Sequence, residues 1–488
     1  MKLVKFLSFG EWILEILTPV KNLSPRERET VMQNKYDIVI IGGGMGGLFT
    51  AYQLRNSGLK IAIFDKGAEL EDRKCYAING KPCIHCKTCA ITSGVAGSGA
   101  FSDAKFNIGT AYGGTLADEL GDDLAMFYIN QVDSILDHFS EDYPKMYMSN
   151  EELKLKCLQN NLCLLDMNVR HLGTDRNFVT MQNLIVTLRK FGIDIFSNAS
   201  CDKILETGGS YNITITDKYG TQNISADKVV VATGRGGADF VKQLCEDFCI
   251  DVEANSVDVG VRVEMKDAIW KEFSSKIYEP KILYKTKTFE DKCRMFCFNQ
   301  GGIVSAENNR GIITANGHSF ADQKKKTDNC NFAILSSIHF TEPFDQPTEY
   351  AESVSRMANM IGDGNVIVQR FGDLIRGRRT NDHRLAQNSV KPTLKATAGD
   401  ISLVLPHRIL TNIIETIYAL DAVAPGTAND DTLLYGCESK YYSLKPKHNE
   451  NFEIYKNIYL IGDGSGITRG LSQSAAMGLY IGDQIIKG

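Results

Sequence analysis

The chain has 488 residues, of which 43% are hydrophobic and 23% charged, as in ordinary folded proteins. This length exceeds what one small core organises, so we expect two domains. The net charge of −5 lacks the basic excess typical of nucleic-acid-binding proteins and argues against that class.

The cysteine content and the N-terminal stretch bear on where the protein resides. Thirteen cysteines, an odd number scattered over a long chain, favour free thiols in a reducing compartment, so we predict a cytoplasmic protein. Glu11 and Glu15 interrupt the first apolar stretch, which predicts an amphipathic leader helix over residues 1–34 and not a signal peptide. No run of 18 apolar residues occurs, so no membrane span is predicted.

Residues 36–47, YDIVIIGGGMGG, follow the pattern of a dinucleotide-binding turn. An apolar run suits a strand buried on both faces, and Gly42, Gly44 and Gly47 supply G-x-G-x-x-G for a tight turn, a close approach to pyrophosphate and close helix packing. A helix and a second strand, KIAIFDK, follow. Asp65 ends that strand, 18 residues after Gly47, where a carboxylate accepts ribose hydroxyls.

Two later segments favour FAD over NAD. ADKVVVATGRGG, residues 226–237, is a strand running into Ala232, Thr233 and Gly234, and NIYLIGDGSG, residues 457–466, is a strand ending at Gly462 and Asp463. With the first motif, these segments resemble the FAD-binding set of the glutathione-reductase-like flavoproteins. The resemblance implies that Asp463 binds the ribityl chain and that the following helix directs its N-terminus, which stabilises negative charge, at the flavin.

Further strings resemble a bacterial family of FAD-dependent dehydrogenases: AGSGAFSDAKFN, RHLGTDR, VDVGVRVE, RMFCFNQGGIV, GCESK and IGDGSGITRGLSQSAAMGLYIGDQI. The resemblance covers most of the chain from residue 36 onward. It implies an FAD-dependent oxidoreductase that transfers hydride between flavin N5 and a small organic substrate. Asp65 stands where the family usually has Glu, and Arg469 and Gln473 stand where small residues are expected.

The expected FAD contacts come from these motifs and from the glycine-rich loop. They are Gly42, Gly44, Met45, Gly47, Asp65, Lys66, Gly97, Ser98, Gly99, Ala100, Phe101, Ser102, Ala232, Thr233, Gly234, Gly462, Asp463, Gly470, Leu471, Gln473 and Ser474.

Because the FAD motifs lie at the start, middle and end of the chain, the FAD domain must be discontinuous. We predict an α/β fold: a Rossmann-like domain with a parallel sheet and a β-meander over 35–244 and 451–488, a helical insertion at about 115–165, and an α+β substrate or cap domain over 245–450. No second G-x-G-x-x-G follows a buried strand. Electrons should therefore come from the substrate, from a nicotinamide bound without this fingerprint, or from a partner protein.

The segment KCYAINGKPCIHCKTCA holds Cys75, Cys83, Cys86 and Cys89. This spacing suits an iron–sulfur cluster, which would feed electrons to FAD. Zinc also accepts four thiolates. Redox-active thiols and a purely structural role remain open as well.

Three residues of the second domain are candidates for catalysis: Cys297, His318 and Glu438. For Cys297 three roles are open: a proton donor, a reactive thiolate, or a small hydrophobic side chain in the core. For His318 two roles are open: a general base or an ordinary loop histidine. Glu438 orients substrate or forms a structural ion pair with Arg262.

Two other functions remain open from the sequence. One is an electron-relay subunit that acts with a partner protein. The other is a flavin-dependent RNA-modification protein, which the weak basic patches disfavour.

Overall fold

The structure is a computed structural model that describes residues 31–75, 86–101, 104–253, 255–309, 311–319, 324, 326–338, 340, 344, 346–440 and 443–488. Asn34–Gly488 form one compact unit, and the fold below is that of this unit. The leader helix predicted over residues 1–34 lies, apart from residues 31–34, outside the described residues.

The described strands are β1 (Lys35–Ile41), β2 (Ile61–Phe64), β3 (Lys105–Asn107), β4 (Leu162–Leu164), β5 (Val169–His171), β6 (Asp194–Phe196), β7 (Ser200–Thr207), β8 (Ser210–Asp217), β9 (Gly220–Val231), β10 (Val252–Glu253), β11 (Val257–Lys266), β12 (Ile282–Lys285), β13 (Lys292–Asn299), β14 (Ile303–Asn309), β15 (Ile312–His318), β16 (Asn329–Ile338), β17 (Ile367–Arg370), β18 (Thr397–Ala398), β19 (Leu433–Lys440), β20 (Lys445–Pro446), β21 (Glu453–Tyr455) and β22 (Ile458–Leu460).

The described helices are α1 (Met45–Leu54), α2 (Leu116–Leu120), α3 (Asp122–Phe139), α4 (Glu151–Leu158), α5 (Thr174–Lys190), α6 (Ala238–Asp247), α7 (Lys271–Lys276), α8 (Pro347–Ile361), α9 (Phe371–Ile375), α10 (Asp382–Gln387), α11 (His407–Asp421) and α12 (Leu471–Lys487). None of these helices is both long and apolar enough to cross a bilayer.

The first sheet is a Rossmann-like sheet with the order β21-β22-β9-β1-β2-β6. Strands β22, β9, β1, β2 and β6 run parallel, with Ile40 opposite both Ile63 and Val230. Strands β7, β8 and β9 form the antiparallel meander that the alternating pattern predicts. Helices cover the sheet, which explains why the central strands read as unbroken apolar runs. The predicted α/β class and the Rossmann-like sheet are confirmed.

The second sheet is mainly antiparallel and has the order β18-β17-β19-β11-β16-β13-β12-β4. The alternation of β11 separates its two faces: the valines and Met265 pack with the apolar side of α11. Asp258, Arg262 and Glu264 lie on the opposite face and are fully buried. A second, polar interior therefore forms on the side of the sheet away from α11.

Helices α1 and α12 pack against each other through small residues. A Cβ atom built on Gly478 would lie 2.3 Å from the Gly46 carbonyl oxygen, so this approach requires glycine. The contact brings the N-terminal parts of the two helices, one from each end of the chain, to the same edge of the parallel sheet. The amphipathic helix predicted over residues 122–139 is confirmed as α3, while α1 ends at Leu54, before Gly58.

Candidate functional site

The three dinucleotide motifs meet at the carboxyl edge of the parallel sheet. Gly42, with a φ of +106°, lies so close to the second motif that a Cβ there would be 2.4 Å from the Ala232 carbonyl oxygen. A Cβ at Gly464 in the third motif would lie 3.2 Å from the Gly234 carbonyl oxygen. Segments more than 400 residues apart in the chain therefore form one continuous surface, as the sequence predicted.

Asp65 stands at the end of β2 and is almost fully buried. Its Oδ2 atom accepts a hydrogen bond from the Gly43 N–H at 2.9 Å, and its Oδ1 atom accepts one from the Gly67 N–H at 2.8 Å. A carboxylate oxygen accepts more than one hydrogen bond, so the ribose hydroxyls expected here remain compatible with these contacts. Lys66, next along the chain, instead reaches the Gly236 carbonyl oxygen at 2.9 Å.

The glycine-rich loop 94–101 packs directly on the dinucleotide turn. The Ala96 N–H donates to the Gly43 carbonyl oxygen at 2.8 Å, and a Cβ at Gly97 would lie 2.8 Å from the Gly44 Cα atom. Ser98, Gly99, Ala100 and Phe101 form a short 3₁₀ helix, of which Gly99 touches Leu471 of α12. Ser102 lies outside the described residues.

Arg73, which sequence reasoning missed, holds this loop in place. Its guanidinium donates to the carbonyl oxygens of Ala90, Ile91, Val95 and Gly97 at 2.8–2.9 Å. Burial lowers the pKa of Arg73 to about 10, which still leaves it charged at neutral pH. The sequence around Arg73 matches none of the motifs above, so no signal in the sequence could have identified its role.

Asp463 lies in the short helix Gly462–Ser465 beside the start of α12. Its Oδ1 atom accepts hydrogen bonds from the hydroxyls of Thr468 at 2.9 Å and Ser474 at 3.1 Å. Arg235 Nε lies 3.8 Å from its Oδ2 atom. Gln473, predicted to contact the flavin, donates to the Tyr112 carbonyl oxygen at 3.0 Å and is buried. Its side chain therefore ties α12 to the loop before α2.

The residues at this edge fit an FAD molecule. The N-cap positions of α1 and α12 are the glycines Gly44 and Gly470, which have no side chain to cap the N–H groups of the first turn. A Cβ at Gly44 would meet only the Gly97 Cα atom, at 3.7 Å, and the Thr233 hydroxyl is buried without a hydrogen-bond partner among the described residues. Helix starts without a side-chain cap at the N-cap residue suit a pyrophosphate.

A buried ionic cluster occupies the polar face of the second sheet. Arg262 donates from Nε and Nη2 to the Asn331 Oδ1 atom at 2.9 and 2.7 Å, and from Nη2 to the Cys297 carbonyl oxygen at 2.8 Å. Its Nη1 atom lies 3.5 Å from Glu438 Oε2, and Lys440 Nζ lies 3.2 Å from Glu438 Oε1. The ion pair of Glu438 with Arg262 that the sequence left open is therefore present.

The Glu438 carboxylate retains free acceptor capacity. Its contacts with Arg262 and Lys440 are ion pairs without hydrogen-bond geometry, so neither oxygen has a hydrogen-bond donor among the described residues. Burial lowers the pKa of Lys440, but Glu438 and Glu307 outweigh it, and the pKa lies above its ordinary value. A buried carboxylate with open acceptor positions is well suited to receive a donor from a ligand.

The cluster extends toward Asp463. Glu307 lies 4.0 Å from Lys440, and although burial raises the pKa of Glu307, Lys440 and Arg235 hold it below its ordinary value. Arg235 is the same residue that approaches Asp463. The charge of Arg235 is therefore near both Glu307 and Asp463.

Cys297 lies where β13 is interrupted by a register shift between Phe296 and Asn299. Its backbone has a φ of +54°, a strained conformation that β-bulges beside functional sites often show. The Cys297 Sγ atom is 3.7 Å from Arg262 Nη2. The side chain is partly exposed, so it is not the fully buried hydrophobe considered above.

The remaining candidates for catalysis and metal binding are His318 and the cysteines of residues 75–89. Gly317, next to His318, lies directly against Arg262 of the buried ionic cluster. His318, the last residue of β15, is exposed, although the carbonyl oxygen of His318 contacts Gly302. Cys86 and Cys89 are exposed, Cys75 is intermediate, and Cys83 lies outside the described residues. In the described part of the chain no three His, Cys, Asp or Glu side chains are grouped so as to hold a metal ion. The predicted iron–sulfur cluster thus has no support from these residues.

A second group of ionisable residues, also missed, lies beside the glycine-rich loop. The Tyr278 hydroxyl is 2.9 Å from His171 Nδ1, and Lys105 Nζ is 3.5 Å from Glu279 Oε2. His171 belongs to the RHLGTDR string and Lys105 to AGSGAFSDAKFN, which resemble family motifs but carry no chemical signature by themselves. Only the pairing of β3 with β5 brings the two strings together.

Comparison with protein families gives two matches. Residues 256–441 match the family described as "FAD-dependent protein, C-terminal domain-like", and residues 40–70 match the "NAD(P)-binding Rossmann-like domain". The first match spans the second sheet from β11 to β19, and the second spans the turn from Gly42 to the end of β2. No curated protein matches the chain.

Solved structures resemble the chain only distantly. A flavoprotein/dehydrogenase from Cytophaga hutchinsonii is 12% identical with a TM-score of 0.37, covering 93% of this chain and 79% of that one. Glycine oxidase from Geobacillus kaustophilus is 11% identical with a TM-score of 0.39, covering 93% and 95%. This chain spans 60% of the length of AlpK, which is 10% identical with a TM-score of 0.36 and coverage of 91% of this chain.

Similarity at this level carries no information on substrate or reaction. The two family matches are the informative ones, because each coincides with a sheet that contributes to the site described above. Over these two segments the chain resembles FAD-dependent and NAD(P)-binding proteins.

Proposed function

We propose that this protein binds FAD at the carboxyl edge of its parallel sheet and transfers a hydride between the flavin and a small organic substrate. The observation that carries the proposal is the convergence of three chain segments and two helix N-termini with glycine at the N-cap, α1 and α12, on one surface. When bound there, FAD supplies two-electron chemistry at N5.

The residues that would hold FAD follow from the geometry. The glycine turn at Gly42, Gly44 and Gly47 and the first turn of α1 bind the pyrophosphate, and Asp65 accepts the adenosine ribose. Asp463, held by Thr468 and Ser474, binds the ribityl chain. Loop 97–101, anchored by Arg73, excludes water on the flavin side.

The substrate would lie against the polar face of the second sheet. Glu438 accepts a hydrogen bond from a polar substrate group, while Arg262 and Lys440 fix the carboxylate in place. The link through Glu307 and Arg235 to Asp463 supports a substrate position next to the flavin. Cys297 is positioned to contact the same substrate, and we propose no catalytic role for the exposed His318.

The first experiment tests FAD binding. The purified protein, made with excess riboflavin, is expected to be yellow, with one FAD per chain after acid release and chromatography. The variant Asp463→Asn should lose most of its FAD, since it removes the charge beside Thr468 and Ser474. Its matched control, Asp227→Asn, alters a half-exposed carboxylate paired with Lys35 at the start of β1 and should retain FAD. A colourless protein that takes up no FAD would contradict the proposal.

The second experiment tests hydride transfer. Protein photoreduced without oxygen is mixed with each of three acceptors: 2-cyclohexen-1-one, menadione and an imine. Reoxidation by at least one acceptor in a two-electron step supports the proposed reaction. Reoxidation by none of these, but only by a one-electron oxidant such as ferricyanide, would instead favour the electron-relay function. Iron and sulfide assays on the same sample test the predicted cluster directly.

A further inference from the structure

Four ionisable side chains beside loop 97–101 are not used by the function proposed above: Lys105, His171, Tyr278 and Glu279. We propose that Tyr278 and His171 form the acid–base pair that exchanges the proton accompanying hydride transfer. The inference depends on the proposed function and adds to it the residue that gives or takes the proton.

The first argument is the contact between the two side chains. The Tyr278 hydroxyl lies 2.9 Å from His171 Nδ1, within hydrogen-bond distance. The rings are stacked, with centroids 4.7 Å apart and planes 30° from parallel, and Tyr147 packs on Tyr278 with its centroid 4.8 Å away. A phenol held on an imidazole can lose its proton to a substrate and recover it from the imidazole.

The second argument is the charge around the phenol. Lys105 Nζ lies 5.6 Å from the centre of the Tyr278 ring and 3.5 Å from Glu279 Oε2. Lys105 and Glu279 are only 12% and 5% exposed, so solvent screens their charges weakly. Lys105 and Glu279 thus place one positive and one negative charge beside the Tyr278 ring. Burial and then Glu279 raise the pKa of the nearby Tyr112 above its usual range, so Tyr112 stays protonated.

Two further charged groups lie near Tyr112. The Lys281 ammonium is 3.9 Å from the centre of the Tyr112 ring, and Asp166 is a second carboxylate that, after Glu279, raises the pKa of Tyr112. The charged neighbours of this region are therefore two lysines and two carboxylates, Lys105, Lys281, Glu279 and Asp166.

The third argument is position. His171 lies opposite Lys105 in the β3–β5 ladder, and the Leu172 N–H donates to the Ala104 carbonyl oxygen at 3.1 Å. Asn177 Nδ2 donates to the Gly99 carbonyl oxygen at 3.0 Å. The chain next to His171 is thus hydrogen-bonded to Ala104, and the following helix α5 is hydrogen-bonded to Gly99 of the loop proposed to cover the flavin.

The register of the second sheet relates Tyr278 to Cys297, one of the residues proposed to contact the substrate. Ile282 of β12 lies opposite Met295 of β13 in an antiparallel pair. The chain from Tyr278 into β12 therefore enters at the end of the sheet where β13 continues to Cys297. A substrate resting on the polar face would have the phenol at its edge.

The proton balance is simple. In reduction of a polarised double bond, the hydride from reduced flavin forms a new C–H bond, and the Tyr278 O–H bond breaks as its proton forms a bond to the other substrate atom. His171 returns a proton to the phenolate and regains one from water. In oxidation each step runs in the opposite direction, and the electron pair goes to oxidised flavin.

Three variants of the flavin-loaded protein test the inference. Tyr278→Phe removes the hydroxyl and keeps the ring stack, and His171→Phe removes both ring nitrogens and keeps the stack. Tyr147→Phe is the matched control, because it removes a hydroxyl from the same stack without touching His171. For the acceptor among the three above that reoxidises the wild-type protein fastest, we expect Tyr278→Phe to slow reoxidation by about 10²–10⁴-fold. Tyr147→Phe should change the rate by less than about 3-fold, and FAD content should remain unchanged in all three.

His171 acts through Tyr278, so it needs a measurement that a merely structural residue would not affect. Carbon NMR with tyrosine labelled at Cζ, assigned by the loss of one signal in Tyr278→Phe, follows the ionisation of Tyr278 without any substrate. We expect His171→Phe to move that titration and Tyr147→Phe to leave it in place.

The outcomes separate the two proposals. The acid–base pair would be overturned if Tyr278→Phe were reoxidised as fast as the wild-type protein, or if the Tyr278 titration were the same in His171→Phe as in the wild-type protein. FAD binding and hydride transfer would then still stand. Absence of FAD, or no reoxidation of the wild-type protein by any acceptor, would instead contradict the proposed function, while the titration would still decide whether the pair shares a proton.

Discussion

Arg73 shows how one side chain determines the shape of the candidate FAD site. Its guanidinium binds four carbonyl oxygens of the segment 90–97, and Gly94 lies so close that a Cβ there would be 2.7 Å from Arg73 Cδ. The planar group with five donors satisfies these acceptors together, which a lysine ammonium with one nitrogen atom cannot do. The segment beside the dinucleotide turn therefore depends on this residue.

We expect Arg73→Lys to lower the free energy of unfolding by about 2 kcal/mol, because the shorter contact set of one ammonium leaves at least one of the four carbonyl oxygens without a donor. FAD affinity should fall as well, since loop 97–101 packs on Gly44. Urea unfolding and FAD titration measure the two effects. The control is Arg176→Lys, at an exposed ion pair with Asp142, which should change neither quantity measurably. Equal effects of the two variants would show that Arg73 does not anchor the loop.

Glu438 is the second residue whose removal should be costly. Arg262 and Glu438 are fully buried, and replacing one partner of such a pair leaves the other charge uncompensated. We expect Glu438→Gln to destabilise the protein by about 3 kcal/mol in urea unfolding. Glu290→Gln, in the exposed pair with Lys285, is the control and should have no measurable effect. A Glu438→Gln protein as stable as wild type would indicate that the carboxylate is not charged in the folded state.

Single-residue roles were the least predictable from the sequence. The glycines and Asp65 are predicted from spacing that forms a local pattern, which the phosphate chemistry requires. Arg73, His171 and Tyr278 have no such pattern, since their partners lie on segments that only the folded chain brings together. Gln473 lies beside a motif, and its hydrogen bond to the Tyr112 carbonyl oxygen could not be read from that motif, while its contact with the flavin stays a prediction.

At the scale of elements, the contact between α1 and α12 leaves no room for added volume at Gly478. A Cβ on Gly478 would lie 2.3 Å from the Gly46 carbonyl oxygen, which is backbone and cannot move aside easily. We expect Gly478→Ala to cost about 2–3 kcal/mol through overpacking and to reduce FAD content, because both helix N-termini shift. Thermal unfolding measures the loss of stability, and chromatography of released FAD measures the FAD content.

Gly109→Ala is the matched control for the helix contact. A Cβ at Gly109 would meet nothing within 4 Å, and its φ is not in the left-handed region. This change should leave FAD content unaltered and change stability only slightly. A similar loss in both variants would mean that Gly478 is not limited by space.

The three arginines of residues 376–379 have separate partners: Arg376 pairs with Asp430, Arg379 donates to the Ala398 carbonyl oxygen, and Arg378 binds the buried Asp373 of α9. Asp373 Oδ1 accepts from Arg378 Nε at 2.7 Å, and its Oδ2 accepts from the Thr380 hydroxyl at 2.8 Å. Burial raises the pKa of Asp373, but these hydrogen bonds and Arg370 outweigh it, so the pKa lies below the ordinary 3.8. The run therefore serves the fold as an ion-pair cluster.

A depressed carboxyl pKa gives stability that is present above the unfolded pKa and lost as pH falls through the folded value. Asp373→Asn should therefore lower the melting temperature at pH 7, and its difference from wild type should shrink below about pH 4. Melting curves from pH 3 to 7 test this, with Asp382→Asn in α10 as the control. A difference that stays constant down to pH 3 would contradict the role of Asp373.

Elements with a clear period were predicted well. The parallel strands, the meander and α3 follow directly from apolar runs, alternation and helical spacing. The polar face of the second sheet was not predicted, because β11 buries both of its faces and its alternating Asp258, Arg262 and Glu264 read as solvent-exposed positions. The boundaries of the second domain at residues 245 and 450 stay a prediction.

At the scale of the whole molecule, the site joins parts of the chain that are distant in sequence. The first motif, the Ala232–Gly234 segment and the Gly462–Ser474 segment each contribute only part of the surface. Because no single segment binds the cofactor alone, affinity for FAD should depend on the complete fold. Binding that occurs only in the folded state must also stabilise that state.

The final prediction uses this linkage. FAD added to protein stripped of flavin should raise the melting temperature. At an FAD concentration of a thousand times the dissociation constant, the free energy of unfolding should rise by about 4 kcal/mol. ADP, which carries the pyrophosphate and ribose expected at Gly44 and Asp65, should give a smaller shift in the same direction. FMN lacks the adenosine half and should shift the melting temperature less than FAD does at equal concentration. Suppose instead that FMN raised the melting temperature as much as FAD did, while ADP left it unchanged. The adenosine half would then contribute nothing to binding, and the glycine turn at Gly42–Gly47 would not hold the dinucleotide.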